Sequence, residues 1–125
     1  MNINLAKVAS QKKIKYFLIT FVDLFGVQRA KLVPARAISE MQKTGAGFGG
    51  FATHLDLSFS EPDMFAIPDP RSLIQLPWQP DVAWLASDLV MKNELMGQCP
   101  RVILKNQINS LEILDMKMMT GVECE

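Results

Sequence analysis

The spacing of apolar residues along this chain changes period several times, and each change marks an element. Residues 2–12 carry a short, weak helical pattern. The stretch "IKYFLITFVD", Ile14–Asp23, then crowds aromatic and β-branched residues between polar flanks, which predicts a strand buried on both faces. In "DLFGVQRAKLVP", Gly26 supplies a turn, so Val27–Val33 is expected to return antiparallel, with Pro34 ending it. Ala37, Ile38 and Met41 then fall at helical spacing, and Gly45 is the stop signal.

"GAGFGGFATH", Gly45–His54, holds four glycines in ten residues and reads as a loop that moves or lets a ligand approach closely. Five prolines punctuate short apolar pieces between Pro62 and Pro80, with "RSLIQLPW" as a short strand. Asp81–Met91 reads as a longer strand. Ala83, Leu85, Ser87 and Leu89 fall on one face, and Val82, Trp84, Ala86 and Asp88 on the other. "KNEL" is a turn. Pro100 suits a first helical position, and Leu104, Ile108 and Leu111 predict an amphipathic helix to about Leu114. "MKMMTGVECE" then reads as extended. Two strands, a helix and more strands indicate an α+β sheet with a helix packed across one face.

At 125 residues the chain is one domain's worth, with room for a small piece of a second, and 49% apolar content supports a real core. Thirteen basic residues balance thirteen acidic ones, which gives no support for nucleic acid or an anionic membrane as partner. No apolar run approaches the roughly 20 residues of a membrane span, and the start lacks a secretion signal. The expected location is cytoplasmic, with Cys99 and Cys124 as free thiols.

Candidate chemistry is sparse. In an extended chain Glu123 and Glu125 would share one side, their roots roughly 6–7 Å apart, and could offer oxygens to Mg²⁺ or Mn²⁺. By spacing alone such a pair is more often a solvated strand face. The glycine loop lacks the P-loop pattern. His54 is the only histidine, has no zinc-ligand spacing around it, and reads as structural or solvent-facing. No nucleophile has a base to serve it. Trp78 and Trp84 read as core residues.

The ordered set "FVDLFGVQRAKLVP", "TGAGFGGFA", "PDPRSLIQLPWQPDVAWLASDL", "CPRVILKNQI" and "TGVECE" resembles the glutamine synthetase family, from about Ile14 to Glu125. The "TGAGFGGFA" loop is most similar to the branch with γ-glutamylmethylamide synthetases. The resemblance implies a β-grasp N-terminal domain over residues 1–97. It also implies that residues 98–125 are the opening helix and strand of a truncated catalytic domain. It implies that Glu123 and Glu125 are metal ligands, one on each of two ions beside the ATP phosphates. Gly47, Phe48, Gly49 and Gly50 are then the substrate-loop candidates, facing the active site of a neighbouring subunit.

The implied reaction of the complete protein, a homo-oligomer, is ATP-dependent. Glutamate becomes γ-glutamyl phosphate, and ammonia or an alkylamine displaces the phosphate. The remaining metal ligands and the nucleotide pocket would lie downstream. The chain alone is therefore expected to be an inactive fragment that binds no cofactor tightly. Gly49 stands where many relatives carry an aspartate that helps bind ammonium, so a γ-glutamylmethylamide or γ-glutamylpolyamine synthetase is the alternative. A stand-alone β-grasp module that binds or regulates a full-length synthetase is a further one. Asp115 replaces a common glycine, which is expected to displace the helix end.

Overall fold

A computed structural model describes residues 3–123. The N-terminal helix α1 runs Leu5–Lys12, and the Asn4 side chain caps it by accepting from the Lys7 N–H at 3.0 Å. Strands β1 (Tyr16–Val22) and β2 (Gln28–Pro34) form the expected antiparallel hairpin, with Tyr16 opposite Pro34 and Val22 opposite Gln28. A single 3₁₀ turn leads into α2 (Ile38–Thr44). Strand β3 (Ala46–Phe48) follows at once, then β4 (Met64–Pro68), β5 (Ile74–Gln75), β6 (Val82–Met91) and β7 (Glu94–Leu95). The chain closes with α3 (Pro100–Ile113).

The mixed α+β expectation is met. The strands form one sheet in the order β2-β1-β6-β4-β3, and β5 and β7 also pair with β6. The ten-residue β6 is the common partner because it is long enough to serve two neighbours in turn. Its first half runs parallel to β1, with Phe17 beside Ala83 and Ile19 beside Leu85. Its second half runs antiparallel to β4, with Ala66 beside Leu89.

Period-two alternation puts Phe17, Ile19 and Phe21 of β1 and Ala83, Leu85 and Leu89 of β6 on one buried face. Helices α1 and α2 cover it through Leu5, Ala9 and Ile38. The Gln42 amide joins the two helices, accepting from the Leu5 N–H at 3.1 Å and donating to the Ile3 carbonyl at 2.7 Å. Ser87 sits on the same inward face. Its hydroxyl is fully buried and finds no hydrogen-bond partner.

Helix α3 lies against β1 and β6, with Val102 buried and Cys99 buried just before it. The stripe of Leu104, Ile108 and Leu111 is half covered or exposed, and Leu104 and Ile108 line an open groove with Met116 and Met118. Among the described residues no helix is long and apolar enough to cross a membrane.

Several expectations are corrected. Three residues of the glycine loop are not loop, because Ala46–Phe48 pairs with Met64–Ala66. "RSLIQLPW" contributes only Ile74–Gln75 as strand, since the prolines and the bend around them leave two paired residues. Trp78 is 79% exposed rather than core, because it lies in the turn before β6, outside the sheet. Residues 116–123 form no strand, as no described strand lies beside them to pair. Asp115 does take the left-handed conformation, with φ of 56°. The Met116 N–H returns to the Leu111 carbonyl at 2.9 Å, so the helix closes at Leu114 and the expected displacement of its end does not occur.

Candidate functional site

The glycine segment begins at a backbone position that a side chain would not fit. Gly45 has φ of 81°, and a Cβ there would lie 2.8 Å from Ile67 Cδ1 and 3.0 Å from the Ala66 carbonyl oxygen. This conformation turns the chain from α2 directly into β3. The Phe48 ring then meets Phe21 edge-on, with centroids 5.0 Å apart. From β2, Lys31 Nζ donates a hydrogen bond to the Gly47 carbonyl and stands 4.9 Å from the Phe48 ring centroid.

The downstream half is anchored as well. Gly50 is buried and opens a 3₁₀ turn, Gly50–Ala52, and Thr53 Oγ1 donates to its carbonyl at 2.6 Å. A Cβ on Gly50 would lie 2.4 Å from Leu57 Cδ1, so the close approach of the two segments depends on the missing side chain. His54 and Asp56 both have positive φ, at 50° and 57°, and between them Leu55 is fully buried. Two left-handed residues around one apolar anchor give this segment a defined path.

The tip of the β1–β2 hairpin joins the same surface. Asp23 is buried, and its Oδ1 accepts from the N–H groups of Phe25 and Val27, both at 2.9 Å. Its Oδ2 takes Arg29 Nε at 2.9 Å and Nη2 at 2.8 Å. Burial pushes the Asp23 carboxyl up, but the Val27 N–H, the Arg29 guanidinium and the Phe25 N–H outweigh it and hold it below the ordinary aspartate range. The hairpin so braced presents Phe25 edge-on to His54 at 5.4 Å, and the Leu24 N–H donates to the His54 carbonyl at 3.3 Å. Phe51 and Phe59 stack at 4.5 Å. The result is a surface of exposed rings around a tightly held glycine backbone, with no acid between Gly45 and Leu55.

A second polar cluster ties α3 to the sheet. Arg101 reaches Asp69 and Asp88, Lys105 also pairs with Asp88, and Arg71 pairs with Asp69 at 3.2 Å. Desolvation raises the Asp69 carboxyl, and the hydrogen bonds and charge of Arg71, with Arg101 beside it, bring it below its ordinary value. These are structural ion pairs on the outer side of the sheet.

The structure brings Gly47, Phe48, Gly49 and Gly50 together as one anchored segment. Glu123 is exposed, in backbone with no regular structure. Glu125 and Cys124 lie outside the described residues. Among the described residues no group of three His, Cys, Asp or Glu side chains could hold a metal. Glu123 by itself brings one carboxylate, a hard-oxygen donor of the kind a divalent cation takes.

Sequence reasoning missed Lys31, Phe21 and the Asp23–Arg29 pair. Asp23 carried a usable signal, since an aspartate followed by Leu-Phe-Gly is a side-chain-capped turn. Lys31 carried a weaker one, a charged residue at an inward position of a strand, opposite the fully buried Ile19.

No family model matches the chain. Individual proteins do. It is 55% identical over all 125 residues to the glutamine synthetase of Rhizobium leguminosarum bv. phaseoli, of which it spans 29%. It is 32% identical over 117 residues to the glutamate–methylamine ligase of Methyloversatilis universalis, 92% of this chain and 26% of that one. The ligand-free structure of GmaS superposes with a TM-score of 0.88 at 54% identity, over 90% of this chain and 27% of that one. The chain thus spans under a third of the relatives it matches, and it is a homologue of the N-terminal portion of the glutamine synthetases.

Proposed function

We propose that this chain is the N-terminal part of an ATP-dependent ligase that forms an amide on the γ-carboxylate of glutamate, with ammonia as acceptor. One observation carries the reading: identity of 55% to a glutamine synthetase over the full 125 residues. In this reading residues 1–97 are the N-terminal domain and 98–125 open the catalytic domain. The Gly47–Gly50 segment faces the amine end of a site completed by a neighbouring subunit of a cytoplasmic homo-oligomer. Glu123 and Glu125 each give a carboxylate to a divalent ion, Mg²⁺ or Mn²⁺, whose role is to neutralise charge on the transferring phosphoryl group. Among the described residues no group of three His, Cys, Asp or Glu side chains could hold a metal, and in this reading further ligands join Glu123 and Glu125 from elsewhere in the complete protein.

A second reading, an alkylamine as acceptor, is favoured by the glycine segment itself. It holds no carboxylate for an ammonium ion, and the charge that touches it is the cation of Lys31.

The test is a chimera in which this chain replaces the matching portion of the Rhizobium leguminosarum protein. Glutamate- and amine-dependent phosphate release, lost in the Glu123→Ala, Glu125→Ala double variant, is the expected result. The 125-residue chain alone should release none. A folded, assembled chimera with no such activity on ammonia, methylamine or putrescine would overturn the proposal. The ratio of turnover on ammonia to that on methylamine separates the two readings.

A further inference from the structure

We propose that Lys31 is a positioning residue that holds the glycine segment in place and thereby sets affinity for the amine acceptor; the second clause rests on the function proposed above. The strand order β2-β1-β6-β4-β3 puts β2 and β3 at opposite ends of the sheet. Yet Lys31 of β2 touches β3 twice, through the Gly47 carbonyl and the Phe48 ring. The sheet therefore curls until its ends approach, and this one side chain spans the gap.

Its placement is selective. Along β2 the inward positions are Arg29, Lys31 and Val33, opposite Phe21, Ile19 and Phe17. Val33 is buried with the core, and Arg29 is committed to Asp23. Lys31 pairs with no carboxylate among the described residues, so its ammonium is left for the Gly47 carbonyl and the Phe48 ring. Phe48 is thus held between the edge of Phe21 and a cation. Downstream, Thr53 and Leu55 restrain the segment. Upstream, beyond the β3–β4 ladder, Phe21 packs on the Phe48 ring and Lys31 adds the polar contact that holds the backbone itself.

Lys31 is exposed, so its loss opens no cavity and should leave global stability nearly unchanged. That separates positioning from a general structural role. In Lys31→Met the stem remains and the charge goes. Amide exchange in the 125-residue chain should rise roughly three- to tenfold at residues 47–50, as loss of a charge-assisted hydrogen bond implies, and stay unchanged in α1 and β6. In the chimera the same variant should raise KM for the amine by a similar factor, with kcat and KM for ATP within about twofold. Lys31→Arg, which keeps a cation and donor, should restore much of both.

Unchanged exchange at 47–50, or a uniform rise across the chain, overturns the proposal. A local rise with no change in amine KM overturns the link to the acceptor while the latch itself stands. A wild-type chimera without activity removes the ligase reading, and the exchange result still decides the latch.

Discussion

Arg101 of α3 bridges two carboxylates of the sheet, with Nη2 2.6 Å from Asp69 Oδ2 and Nε 2.9 Å from Asp88 Oδ1. Asp69 follows β4 and Asp88 lies in β6, so one guanidinium fastens the last helix to two neighbouring segments. Its planar fork suits two acceptors at once, which a lysine cannot copy.

Arg101→Met should therefore loosen α3 more than its apolar contacts alone would suggest. It leaves two partly buried carboxylates facing each other with only Lys105 and Arg71 to offset them. We expect a loss of about 1–2 kcal/mol, kept modest by solvent, and faster amide exchange confined to 100–113. Urea unfolding and exchange mass spectrometry measure both. Exchange rising equally in α1 would contradict this assignment.

Acid should unfold the chain through Asp23 and Asp69. Both carboxyls lie below the ordinary aspartate value in the folded protein. Their contribution is complete above the unfolded pKa of about 3.9 and is lost as pH falls through the lower folded values. The urea midpoint should thus hold level near neutrality and drop below about pH 4. Asp23→Asn should flatten that drop, and also lower the plateau by unpairing Arg29. A midpoint that rises on acidification would refute the linkage.

Gly45→Ala should be costly for two separate reasons. The substitution forces an alanine into a backbone conformation reserved for glycine, and its methyl would press on Ile67 and on the Ala66 carbonyl. Roughly 2–4 kcal/mol is expected from strain and overpacking together. Gly50→Ala meets only the end of Leu57, a side chain that can move. It should cost less, and Leu57→Ala should relieve part of it. Thermal unfolding of the three variants distinguishes these cases.

Ser87→Ala should leave stability equal or higher by up to about 1 kcal/mol, because the hydroxyl is buried without a partner and its removal takes away a desolvation penalty. A clear loss of stability on denaturant titration would point to a hydrogen bond to Ser87.

Elements with a local cause were legible in the residues. The β1–β2 hairpin follows from "YFLITFV", Gly26 and the antiparallel return to Pro34. Helix α3 follows from Pro100 and the apolar spacing after it. The two faces of β6 were also readable, since alternation alone separates Leu85 and Leu89 from Trp84 and Asp88. Strand β3 was not, because glycines at 45, 47, 49 and 50 signal a loop until a partner is known. That partner, Met64–Phe65–Ala66, lies about twenty positions on among prolines. Trp78 misled for the same reason: hydrophobicity predicts burial only when an element carries the residue inward. The candidate site divides likewise. Gly47, Phe48, Gly49 and Gly50 stood out by composition, whereas Lys31 and Phe21 belong to the site through distance alone.

Local order in this protein was written in its residue pattern: where strands and helices begin, which strand faces are apolar, and that a glycine-rich segment stands apart. Folding supplied the rest. It curled the sheet until β2 and β3, non-neighbours in the strand order, came within reach of one lysine. It also set Asp69 and Asp88 around Arg101. Such pairings join residues far apart in sequence, and their energy depends on a closure that no window of neighbouring residues encodes.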